Sequence, residues 1–347
     1  MSKTFYHFVW GEFGLENIVN ELEKDNSYTD IVIFGPEEHE IGFAFHDTEF
    51  VMFKRFLDYH NVNLKMILGA PTNSILNYRY QFKDFKNLNP WHTFFANFVI
   101  QHILYLKASP YGHNNVINKH FTSMNGRAHP WRCMFIDYMY KYNLFDKGYI
   151  SWHNSENWQY PYDFKWWAPK KLNFDKNWVN PSNGFYDMYT VPIEFKDSLF
   201  SIISESNLQT IFVTEKTYLP IYHKRPFIIF GAPYIHQYLK SLGFMLFDEI
   251  IDYSFDSVDD DEKRCDMLMK EVAKLCNTNI EKLRKKSITK VEHNFNNLLK
   301  IVENKKLIPK EVRRTIENGT HERFDLYRNV LNISNTKDFL NLINKDT

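Results

Sequence analysis

Cysteine is scarce. Only Cys133, Cys265 and Cys276 occur in 347 residues, too few and too scattered for a disulfide framework or a Cys-rich zinc site, and in keeping with a reducing compartment. Neither sign of charge is in excess: 42 Lys and Arg balance 42 Asp and Glu, so no global field draws the chain to a polyanion or an anionic membrane. Contact with nucleic acid would have to be local. No window reaches the roughly 18 apolar residues of a membrane span, and the start, Met1 to His7, lacks a signal-peptide core. The expectation is a soluble, cytoplasmic protein with no membrane partner. Gly-x-x-x-x-Gly-Lys-Ser/Thr and Gly-x-Gly-x-x-Gly are both missing, which argues against a P-loop nucleotidase and a dinucleotide oxidoreductase. Histidines are numerous, but His39, His46, His60, His113, His120 and His129 fall into no zinc-enzyme spacing, so no metal site is expected.

What is abundant is the aromatic ring, 17% of residues. Rings fill cores, and they also stack on sugars and bases. The apolar pattern reads as α/β. Strand-like runs at Phe5–Val9, Ile31–Phe34 and Leu64–Leu68 alternate with helical segments at Leu15–Leu22 and Phe50–Tyr59, the signature of a mostly parallel sheet covered on both faces. A second alternation begins near residue 116. It has a strand over Val116–Phe121, a helix from Pro130, a strand Leu199–Ser204, a helix starting at Thr214, a strand Pro226–Phe230 and a helix from Tyr234 that Gly243 ends. Residues 149–193 carry five tryptophans and break the rhythm; they read as an irregular insertion. Helices are expected at Asp261–Cys276, Ile280–Val302 and around Phe324–Leu342. The expected domains are 1–115 and 116–315, followed by a helical tail, 316–347.

In an open parallel sheet, ligands bind beyond the carboxyl ends of the strands, where helix N-termini attract anions. Two junctions of the second half carry suitable chemistry. One is Ser123-Met124-Asn125-Gly126-Arg127, with Arg132 in the opening turn of the helix that follows; a guanidinium there can fork onto a diphosphate. The other is Thr214-Glu215-Lys216: Thr214 suits an N-cap, Glu215 can accept from ribose hydroxyls, and Lys216 adds positive charge at the same anion site. Ser204-Glu205-Ser206-Asn207 ends the strand just before it. Bland capping and surface pairing account for each junction taken singly, and it is their convergence that suggests a ligand site.

The stretches Phe195 to Asn207, Val213 to Lys216 and Arg225 to Pro233, with Ser123, Asn125, Arg132, Tyr138 and Gly148 upstream, resemble the donor-binding signature of the α1,3-fucosyltransferases. The likeness covers about residues 118–250. It implies a GT-B fold, two Rossmann-like domains facing across a cleft, with the acceptor side in the N-terminal domain and the nucleotide-sugar in the C-terminal one. It further implies that Arg132 and Lys216 neutralise a diphosphate, that Glu215 holds the ribose, and that Asn125 and Thr214 line the donor pocket with Glu205 beside the donor sugar. Ser206 and Phe212 depart from the pattern, where the family has Asn and Tyr, and leave base and sugar open. The implied activity is a metal-independent, inverting glycosyltransferase that uses a nucleotide-diphosphate sugar and no other cofactor. The acceptor's proton would go to a carboxylate base. Glu12, Glu37, Glu38, Asp47 and Glu49 stand beside strand ends of the first half, and Glu12 and Glu38 follow their strands most directly.

Two other readings stay open. The acceptor could be a hydroxylated DNA base, suggested by the basic clusters Lys282–Lys286 and Lys305–Arg314 together with the aromatic insertion. Or the chain could be a non-catalytic carbohydrate-binding protein of the same fold, using Trp152, Trp158, Trp166 and Trp167.

Overall fold

The computed structural model describes residues 3–8, 15–35, 52, 55–68, 88–90, 113, 116–126, 128–152, 160–168, 193–208, 211, 213–303 and 310–332. The chain is α/β and divides into two compact units, 1–104 with 303–339, and 105–302 with 340–347. These divisions differ from the expected boundaries after 115 and 315.

In the first unit, β1 (Lys3–Phe8), β2 (Tyr28–Gly35), β3 (Asn63–Leu68) and β4 (Leu88–Pro90) form a parallel sheet in that order. Helix α1 (Leu15–Lys24) joins β1 to β2, with Glu16 in its first turn and Lys24 in its last, each at the end of the dipole that favours it. Ile31, Ile33 and Phe34 are fully buried. Two later helices, numbered α7 (Lys310–Asn318) and α8 (Arg323–Leu331) in chain order, belong to this unit. Phe34 meets Phe324 and Tyr327 at ring-centroid distances of 5.3 and 5.4 Å. This apolar contact draws the tail onto the first sheet instead of leaving it separate.

The second unit contains β5 (Lys119–Ser123), α2 (Pro130–Lys141), β6 (Gly148–Ile150), β7 (Ser198–Ser204), α3 (Glu215–Tyr222), β8 (Phe227–Phe230), α4 (Ile235–Ser241), α5 (Asp261–Cys276) and α6 (Ile280–Glu303). Its four strands are parallel, in the order β6-β5-β7-β8. Every residue of β7 and β8 is buried, as strands of a parallel sheet covered by helices on both faces are. Phe135 of α2 stacks on Phe230 of β8 at 5.6 Å, while Tyr222 of α3 meets Phe295 of α6 at 6.0 Å. Helix α5 starts where its acids direct: the Asp260 carboxylate accepts the Lys263 N–H at 2.7 Å as N-cap, and Asp261 and Glu262 fill the first turn.

The expected irregular insertion needs correction at its first residues only. Its first residues are a strand, β6, held by parallel pairing of Phe121 to Gly148 and Ser123 to Ile150. Residues 160–168 form no helix or strand, in keeping with an irregular segment, and of them only Trp167 is buried. Asp137, fully buried in α2, accepts the backbone N–H groups of Lys165, Trp166 and Trp167 at 2.7 to 3.0 Å and the Tyr162 hydroxyl at 3.2 Å. Trp152 lies edge-on to Phe164 and Trp167 and is fully buried, and Trp167 is 3% exposed. These two indoles therefore offer no open platform to a sugar or base. Trp166 is exposed, and Trp158 lies outside the described residues.

Candidate functional site

The strand order defines the site. From β5 the chain runs through α2 to β6 on one side, and from β7 it runs through α3 to β8 on the other. The crossovers diverge between β5 and β7, which are paired at Thr122 and Ser201. At such a switch point the loops leave a crevice beyond the carboxyl ends of the strands. Asn125, His129 to Arg132, Ser204 to Asn207 and Thr214 to Lys216 all come from the segments that border it.

Glu205, the first residue after β7, fastens both helices that start here. Its main-chain oxygen accepts the indole N–H of Trp131, in the first turn of α2, at 3.2 Å. Its carboxylate accepts the Thr214 N–H at 3.1 Å, the Thr214 hydroxyl at 2.6 Å and the Thr217 hydroxyl at 2.6 Å, all at the start of α3. The side chain is fully buried. Burial pushes its pKa up, while Lys216 and the Thr214 and Thr217 donors pull the other way. Glu205, expected beside a sugar, is instead the anchor of the α3 N-terminus. The reason is local: Thr214 lies nine residues on, across a loop short enough to fold back onto the strand end.

Thr214 is the N-cap of α3, as expected, with its hydroxyl accepting the Lys216 N–H at 3.4 Å. The Lys216 ammonium donates to the Thr214 hydroxyl at 3.1 Å and to the Ser206 hydroxyl at 3.3 Å, which holds the charge over the helix end. Glu215 is the first residue of α3. Arg132 is the third residue of α2 and 3% exposed, next to the Trp131 that reaches Glu205. The rings of His129 and Trp131 stack at 4.8 Å and 7°. The structure thus brings the elements carrying Arg132 and Lys216 to one shared residue.

Asn125 is buried beneath the same edge. Its N–H donates to the Ser151 hydroxyl at 2.9 Å and its side-chain amide to the Ser123 hydroxyl at 3.0 Å. Its Oδ1 has no hydrogen-bond partner among the described residues, nor has the hydroxyl of Ser204, fully buried at the end of β7. Both residues lie three positions beyond the registered pair Thr122 and Ser201, whose hydroxyls are also without a hydrogen-bond partner among the described residues, so four orphaned polar groups lie on or just beyond β5 and β7 at the switch point. Buried groups of this kind require a partner.

Glu12 and Glu38, with Glu37, Asp47, Glu49, Arg127 and Phe212, lie outside the described residues. All three cysteines are buried, and burial raises their thiol pKa values, to about 12 for Cys133 and Cys276; none is a ready thiolate nucleophile. Among the described residues no three His, Cys, Asp or Glu side chains cluster as a metal site, and no helix is long and apolar enough to cross a membrane. Sequence reasoning missed Trp131 and Ser151, while Ser204 stood in the strand-end run it singled out. Trp131 was legible only as part of the apolar stripe of α2, and Ser151, just after the three-residue strand β6, carries no signal of its own.

Comparison with protein-family models, with curated proteins and with solved structures finds no match.

Proposed function

We propose that this chain is a glycosyltransferase that binds a nucleotide-diphosphate sugar at the switch point of the second unit and transfers the sugar to an acceptor hydroxyl with inversion. The observation that carries the reading is the double fastening of Glu205. One residue holds the N-termini of α2 and α3 together, each with a cationic side chain in its first turn, Arg132 and Lys216. Two helix ends and two cations are what a diphosphate needs.

As the bond from the anomeric carbon to phosphate breaks, negative charge grows on the leaving diphosphate. Fixed N–H groups, a guanidinium and an ammonium stabilise that charge without reorganising. In this reading they carry the task, and no metal ion is assigned to it. In this reading Asn125 Oδ1 and the Ser204 hydroxyl, both without a partner among the described residues, supply an acceptor and a donor for ligand groups beyond the ends of β5 and β7. Glu215 takes the ribose. The first unit takes the acceptor in a GT-B arrangement, and Glu12 and Glu38 are its candidate bases for the hydroxyl proton. The acceptor in this reading is a glycan hydroxyl.

A nucleotide-release assay with a panel of UDP-, GDP-, ADP- and CDP-sugars tests the proposal. Hydrolysis or transfer with at least one donor is expected. Folded protein that neither turns over nor binds any of them would overturn it.

A further inference from the structure

The loop after β8 runs Gly231-Ala232-Pro233-Tyr234 along the same sheet edge. It abuts the anchor residue directly: the Glu205 N–H donates to the Phe230 carbonyl at 2.9 Å, and a Cβ built on Gly231 would lie 3.7 Å from that of Glu205. Three residues on, Tyr234 adopts φ 66°, ψ 16°. This left-handed region suits Gly or Asn and is unfavourable for a bulky L side chain. The backbone is held there from both sides. The Tyr234 N–H donates to the Asp256 carbonyl at 2.6 Å, and its carbonyl accepts the Tyr238 N–H at 2.9 Å.

That strain presents a ring that the fold itself does not use. Tyr234 is 46% exposed, and neither its ring nor its hydroxyl has a partner among the described residues. The neighbouring rings behave otherwise: Tyr253 and Phe255 pack against buried His236. A strained residue with an idle aromatic side chain beside a ligand edge points to a role in binding.

We infer that Tyr234 is the stacking platform for the nucleobase of a nucleoside diphosphate whose phosphates lie at Lys216 and Arg132. The inference rests on the nucleotide-sugar reading and deepens it. The phosphates go to the cations and helix ends; what a neutral, flat, half-exposed ring recognises is another flat ring, and every base has a stacking face.

The test titrates the full chain with inorganic pyrophosphate and with ADP, GDP, CDP and UDP by calorimetry, for wild type, Tyr234→Phe and Tyr234→Gly. Wild type binds at least one nucleotide more tightly than pyrophosphate. Tyr234→Phe keeps that margin. Tyr234→Gly, which suits the left-handed backbone and keeps the melting temperature, weakens the nucleotide about tenfold and leaves pyrophosphate within twofold. Unchanged nucleotide affinity in Tyr234→Gly overturns the inference alone, as does an equal loss for pyrophosphate, which would mark a structural role. Wild type that binds neither pyrophosphate nor any nucleotide overturns the nucleotide-sugar reading and this inference with it.

Discussion

Replacing Glu205 by alanine should loosen the start of α3 more than any other single change at this edge. The substitution strands three donors: the Thr214 N–H, the Thr214 hydroxyl and the Thr217 hydroxyl. A buried amide left unpaired costs about 1–3 kcal/mol, and each hydroxyl, which can rotate toward another acceptor, contributes toward the lower end of that range. The expected loss is about 3–5 kcal/mol. For a domain near 200 residues, each kcal/mol moves the melting temperature by about 2–4 °C, so the variant should melt about 6–20 °C below wild type. Glu205→Gln keeps one acceptor oxygen and should lose only about 1–2 kcal/mol. It also removes a titration. Because burial raises the Glu205 pKa, the neutral form is favoured in the fold; the stability this confers is full below the ordinary carboxylate range and is lost as pH rises through the raised pKa. Glu205→Gln should abolish that slope. The assay is thermal and urea denaturation across pH, followed by tryptophan fluorescence and near-UV circular dichroism. Glu205→Ala melting within 2 °C of wild type would refute the reasoning.

His223, 1% exposed beside Arg225, has its pKa lowered to about 3, chiefly by burial. Its neutral form stabilises the fold above pH 6.5, and that contribution drains as pH falls from 6.5 toward 3, by up to about 1.4 kcal/mol per pH unit. His223→Gln should flatten the acid limb of a stability–pH curve; an unchanged slope contradicts this. Asp137→Asn disturbs a carboxylate that four donors address and should lower stability by about 2–4 kcal/mol, with a red shift in tryptophan emission as Trp166 and Trp167 gain water. Emission and melting like those of wild type would show that the segment 160–168 is held by its rings alone.

Much of this fold was legible. Helix α5 begins and ends where the acidic N-cap run and the apolar spacing of Cys265, Leu268, Met269 and Val272 place it, and Thr214 and Gly243 mark boundaries as their chemistry demands. Three-residue strands were not legible: β6 is too short to show a period and opens an aromatic stretch. Helix α7 was read as a basic cluster, although Val312, Thr315 and Ile316 give it a buried stripe at helical spacing. At the site, Thr214, Lys216 and Arg132 could be picked because helix starts follow local rules. The role of Glu205 could not, since its partners lie 9 and 12 residues away in sequence. Asp137 was detectable in principle, a single carboxylate in the apolar run Met134–Met139 that the fold must satisfy.

The central claim is that Arg132 and Lys216 serve one diphosphate. Calorimetric titration of inorganic pyrophosphate into wild type, Lys216→Ala, Arg132→Lys and the double variant tests it most directly. If the claim holds, wild type binds one equivalent, each single variant weakens binding about tenfold or more, and the two losses are non-additive because both groups touch one ligand. Wild-type affinity in both single variants, with their folds intact, would contradict it.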